Sequence, residues 1–171
     1  MEPTTYRKHQ LTDPGLLKTS LGYGLIGCGI YAAYFLLMRL IGLGEVIELR
    51  FFNYIIMCVI SFYALKKATT LNDRQPRFLM EMAIVFLTCA SSFVLFGIFI
   101  FFYSLLDPFI VNLFNSLFPG ALAFGHFSAP VFIASEGLGL GAIVALGMTF
   151  FFRAYRDKIR GKNTIGQPEI V

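Results

Sequence analysis

Four apolar runs, residues 19–38, 46–65, 79–106 and 131–152, leave this chain few ways to fold. Each is close to or above the roughly 20 helical residues that cross a hydrocarbon core of about 30 Å. Between and around them lie nearly all the charges. Hydrophobic residues make up 57% of the 171 positions and charged ones 14%, against roughly 45–50% and about 25% in soluble domains. A water-soluble protein so composed would expose large apolar patches and aggregate. The sequence therefore predicts an all-α membrane protein with four transmembrane helices. It divides into a polar N-terminal tail (1–18), a four-helix membrane domain (19–153) and a basic C-terminal tail (154–171).

The distribution of Lys and Arg sets the expected orientation. The N-terminal tail holds three, the link 66–77 four and the stretch from Arg153 to Lys162 five, whereas the first link has only Arg39 and Arg50 and the last link none. Basic residues concentrate in cytoplasmic segments, so both termini are expected inside. The net charge of +4 could point to nucleic acid. Here the basic residues flank apolar runs instead of forming a stripe on a soluble face, so no nucleic-acid partner is expected. The first 18 residues are polar and the first run is long enough to remain an anchor, so a cleavable signal is not expected.

Between the third and fourth runs, residues 109–130 are apolar but interrupted by Asn112, Asn115, Pro119, Gly120, Gly125 and Pro130. Two further spans do not fit there. The segment reads as interfacial or re-entrant. The phenylalanines of the third run, Phe86 to Phe102, read as bulk facing lipid or a partner.

Small residues recur every four positions in two runs, which places them on one helix face. In the first run they are Ser20, Gly24, Cys28 and Ala32; in the fourth, Gly137, Gly141, Ala145 and Thr149. Such faces let membrane helices approach closely, and the two are expected to pack on each other. The GYGLIG segment at 22–27 matches a dinucleotide fingerprint only in spelling, because the strand–turn–helix context is missing.

Charges at the apolar boundaries need partners. The uncharged part of the second run, residues 51–65, spans only about 22 Å, which brings Arg50 and Glu48 to the hydrocarbon edge. Residues 137–152 span about 24 Å, which does the same for Glu136. Arg50 is expected to pair with Glu136, assisted by Asn53, and Arg39 with Glu48. Glu81 stands four residues after Arg77 and is expected to pair with it. Tyr54 and Tyr103 are expected in an outer interfacial belt.

No signature of chemistry stands out. Cys28, Cys58 and Cys89 are odd in number, lack CxxC spacing and lie inside apolar runs, which argues against disulfides or a metal. His126 stands alone. No HExxH, GxSxG or catalytic carboxylate pair occurs, so neither enzymatic activity nor a cofactor is expected. The segments GYGLIG, ELRFFNYII with FYALKK, LLDPF and FFRAYRDK, taken together, resemble a family of short, functionally uncharacterised four-span bacterial inner-membrane proteins. The resemblance implies a four-helix membrane fold in the bacterial inner (cytoplasmic) membrane and no reaction. The expected function is that of a non-catalytic integral-membrane subunit of a larger complex, whose partners are the bilayer and other membrane subunits. The alternative is a small transporter or lipid-linked-substrate flippase, or the partner of a membrane glycosyltransferase. Carboxylates clustered near the ends of the runs weigh against a proton-coupled version of that alternative.

Overall fold

The computed structural model describes residues 14–44, 49, 51–71, 78–117 and 125–164. Among the described residues there are five α-helices: α1 (Pro14–Ile41), α2 (Phe51–Leu71), α3 (Phe78–Leu106), α4 (Phe109–Leu117) and α5 (Ser128–Thr164). All but α4 include a stretch long and apolar enough to cross a membrane, within Gly15–Ile41, Phe51–Thr69, Phe78–Leu106 and Gly125–Arg156. A helix suits these runs because it satisfies every backbone N–H and C=O internally, where lipid offers no partner.

The helix ends follow local chemistry. At the end of α1, Gly42 adopts φ 82°, a conformation that costs glycine little. Its N–H donates to the Arg39 carbonyl at 3.2 Å and the Leu43 N–H to the Met38 carbonyl at 2.9 Å. This paired pattern occupies carbonyls that a helix otherwise leaves open. At the other turn, Asp107 ends α3 and caps α4. Its Oδ1 accepts the Phe109 N–H at 2.9 Å, with Pro108 in the first-turn position where a missing N–H does no harm.

α3 is the centre of the bundle. It packs against all four other helices, whereas α1 and α5 do not meet among the described residues. Phe93, Phe96 and Ile100 of α3 are buried, with Tyr31 and Phe35 of α1 on one side and Ile133 and Ala145 of α5 on the other. The expectation of a Phe-rich helix facing lipid or a partner is thus half right. Phe86 and Phe102 face outward, but Phe93 and Phe96 are core. The hydroxyls on the same helix are satisfied locally. Thr88 and Ser92 donate to carbonyls four residues earlier, both at 2.8 Å, and so enter an apolar interior without exposing a polar group.

The two small-residue faces do not pack on each other. A side chain at Gly24 would run into Ser91, one at Gly137 into Phe93, and one at Gly141 would come within 3.0 Å of Cys89 Cβ. Both faces therefore close on α3, from two sides. Cys28 and Ala32 are half-buried, while Gly24, Gly137, Gly141 and Ala145 are buried. The pairing failed because α3 presents small side chains of its own, Thr88 to Ser92, in the middle of its length. A glycine face gains contact against such a strip without needing a second glycine face opposite.

α4 lies against α5 and α3. It buries Ile110 and Phe114 and exposes Asn112 and Ser116.

Candidate functional site

Three sets of polar side chains enter the apolar bundle at different levels. The first is at the end where α1 and α3 finish. Arg39 donates through Nη2 to Asp107 Oδ2 at 3.1 Å, and the Tyr103 hydroxyl donates to the same oxygen at 3.1 Å. The Arg39 guanidinium also sits 3.8 Å above the Phe109 ring, a favourable cation–π position. The Phe109 N–H, aided by Arg39 and Tyr103 against partial desolvation, holds the Asp107 carboxyl below the usual carboxylate range. One aspartate thus stops α3, caps α4 and ties both to α1.

The second set is at the opposite end. Glu81 is fully buried at 0% exposure. Arg153 Nε donates to its Oε2 at 2.5 Å and Arg156 Nη1 to its Oε1 at 3.0 Å. Each carboxylate oxygen is engaged by a different arginine. Arg153 and Arg156 are three residues apart on α5 and share a face, so both reach α3. The expected partner, Arg77, lies outside the described residues. The sequence reading missed this cluster, although an i, i+3 arginine pair at the end that also holds Glu81 was a readable signal.

The third set lies between. A side chain at Gly137 would strike Phe93, so α5 at this point is level with Phe93, next to the midpoint of α3 at Ser92. Glu136 is therefore at mid-height. At 1.5 Å per residue it stands roughly 20 Å from the Glu81 level and roughly 20 Å from the Asp107 level. Counting uncharged residues had put Glu136 near a boundary. The count overlooked that α5 starts at Ser128, two turns before Glu136. The Tyr54 hydroxyl of α2 donates to Glu136 Oε1, so Tyr54 faces inward and does not join an interfacial belt.

Glu136, Tyr54 and Asn53 line a cavity of about 110 Å3, walled by aromatic side chains including Tyr34, Phe35, Phe93, Phe96 and Phe114. It reaches the connection between α1 and α2 at Leu43, Gly44 and Leu49. There the Tyr34 hydroxyl donates to the Leu49 carbonyl at 2.9 Å. Asn53 Oδ1 is buried without a hydrogen-bond partner among the described residues. Buried polar atoms are paired in the great majority of cases, so this acceptor, beside a carboxylate and an open space, has capacity for a donor in the cavity.

No family model, curated protein or solved structure matches the chain. The site must be judged from its own geometry.

Of the expected charge pairs, Arg50–Glu136 lies outside the described residues at Arg50, and Arg39–Glu48 at Glu48. Among the described residues Arg39 takes Asp107 as its partner, and Glu136 takes Tyr54. Asn53 and Glu136 line one space, and among the described residues no cation lies in it. Cys89, in the core, lies 3.3 Å from Ser61 Oγ. His126 is exposed in the turn before α5. Among the described residues no three His, Cys, Asp or Glu side chains converge as a metal site would require.

Proposed function

We propose that this is a small carrier for an amphiphilic or lipid-linked substrate, with the cavity beside Glu136 as its binding site. One observation carries the reading: a carboxylate faces an internal cavity at the mid-height of the central helix. An ionisable side chain at the centre of a membrane helix costs about 2.5–3.5 kcal/mol on insertion scales, and such residues commonly mark substrate or ion pathways. Polar groups converging near the midplane between helices are the usual site in small transporters. The mid-height position of Glu136 removes the objection that the carboxylates sit only near the ends.

The competing reading is a non-catalytic subunit of a larger membrane complex. It is supported by the uncovered apolar face of α1, with Leu25, Leu36 and Leu40 exposed. Lipid covers such a face equally well, whereas lipid contact does not account for the cavity. Native mass spectrometry after mild extraction separates the two. The carrier reading expects a bound amphiphile on the wild type that is lost from Ala129→Phe, a variant that fills the cavity. Equal occupancy of both proteins, or none on the wild type, overturns it. A stoichiometric set of other membrane proteins on an empty cavity supports the subunit reading.

The reading is completed by an orientation and a location: both termini in the cytoplasm, the bacterial inner membrane, and α4 lying along the outer interface. The Lys and Arg distribution supports the orientation, the exposed polar edge of α4 supports its interfacial position, and the family resemblance supports the location. A cysteine placed at Asn163 is expected to resist an impermeant thiol reagent in intact cells and to label after permeabilisation. Labelling without permeabilisation would reverse the orientation.

A further inference from the structure

We infer that the cavity receives the ammonium head of an amphiphilic amine. The inference rests on the carrier reading and names the chemical class of its substrate. Glu136 is the one charged side chain among the described residues that line the space. A carboxylate accepts about four hydrogen bonds, and among the described residues only the Tyr54 hydroxyl donates to Glu136. Asn53 Oδ1 adds a second acceptor without a donor. If the Asn53 amide were turned over, an assignment that atom positions alone do not make, Glu136 would remain the sole charge among the described residues of the lining. The site thus asks for N–H donors and a positive charge.

The walls agree with the polar groups. Six aromatic rings, those of Tyr34, Phe35, Tyr54, Phe93, Phe96 and Phe114, border the space. Aromatic faces attract cations, and ammonium groups are bound in aromatic cages. An anion is excluded by Glu136. A neutral alcohol could satisfy Asn53 but would leave the half-buried Glu136 carboxylate without a counter-charge among the described residues. A bare metal ion would find too few ligands, since the rest of the lining is mostly hydrocarbon and ring carbon. The volume of about 110 Å3 is somewhat below the roughly 150 Å3 that holds a benzene molecule. It suits an ammonium with a few carbons.

Saturation-transfer NMR and calorimetry on the full chain in phosphatidylcholine nanodiscs, with n-butylammonium and n-butanol as probes, test the inference. These probes match in size and differ in charge. The wild type is expected to bind the ammonium at least ten-fold tighter than the alcohol. Glu136→Gln should remove that preference while leaving the alcohol within two-fold, and Ala129→Phe should abolish binding of both. Equal binding of the two probes by the wild type, both lost in Ala129→Phe, overturns the cationic ligand and leaves the carrier reading standing. A preference that survives Glu136→Gln also overturns it. Binding of both probes unchanged by Ala129→Phe overturns both readings. The comparison of probes on the wild type needs no variant to fold.

Discussion

Replacing Arg153 and Arg156 together by alanine is expected to destabilise the bundle by about 3–5 kcal/mol, the cost typical of leaving a buried charge without its partner. Glu81 is fully buried and owes its tolerance to the two guanidinium groups at 2.5 and 3.0 Å. Because each arginine holds a different oxygen, either single replacement leaves one ion pair in place. Each is expected to cost about 1.5–3 kcal/mol, the range for a hydrogen bond to a charged group. Adding Glu81→Leu to the double variant removes the stranded carboxylate. Buried ion pairs exchanged for apolar side chains often lose little, so the triple variant is expected to recover most of the loss. Unfolding of the wild type and the four variants in bicelles gives the comparison. A triple variant as unstable as the double would mean that Glu81 is not held by these arginines. Loss of packing is the competing effect, because Arg153 lies 5.1 Å from the centre of the Phe78 ring. Recovery in the triple variant separates charge from packing, since the arginine side chains are absent from both proteins.

The number of spans was legible because membrane insertion depends on run length, which a sequence displays directly. Relative depth was not. Glu136 and Arg50 were placed by counting uncharged residues to the nearest charge, which gives the length of a run and not its position along its neighbours. Position comes from the α3–α5 register, set where Gly137 meets Phe93 and where a side chain at Gly97 would come 3.1 Å from the Pro130 carbonyl oxygen. Those contacts join residues far apart in the chain, and no local pattern announces them. The centrality of α3 was hidden for a related reason. Phenylalanine serves equally against lipid and in a core, so composition does not tell a buried helix from an exposed one. The strip Thr88 to Ser92 was the better signal, since small hydroxyl-bearing residues at mid-height accept close neighbours. The capping role of Asp107 in LLDPF was readable from Asp-Pro at a helix end, but its pairing with Arg39 needed the parallel packing of α1 and α3.

Glycine replacement is expected to divide the small residues into two groups by position rather than by motif. Gly137→Ala and Gly24→Ala should each cost about 1–3 kcal/mol, the usual penalty of overpacking a filled interior. At Gly137 the new methyl meets Phe93 Cβ and Cγ. Cβ is fixed to the backbone, so relief requires α5 to move away from α3. At Gly24 it meets the Ser91 side chain, with the Ser92 backbone nitrogen 3.4 Å away, which leaves Ser91 little room to turn aside. Gly141→Ala is milder, since its methyl would stand 3.0 Å from Cys89 Cβ. Gly29 and Gly139 have open space where a side chain would grow. There the helix preference for alanine, about 1 kcal/mol over glycine, should make the same replacement neutral or stabilising. Leucine sharpens the contrast: Gly137→Leu and Gly24→Leu should prevent folding, whereas Gly139→Leu and Gly29→Leu should be tolerated. Folded yield and unfolding in bicelles across the five alanine variants give the order. If Gly137→Ala were no worse than Gly139→Ala, the close approach of α5 to α3 would be wrong, and with it the register that puts Glu136 at mid-height.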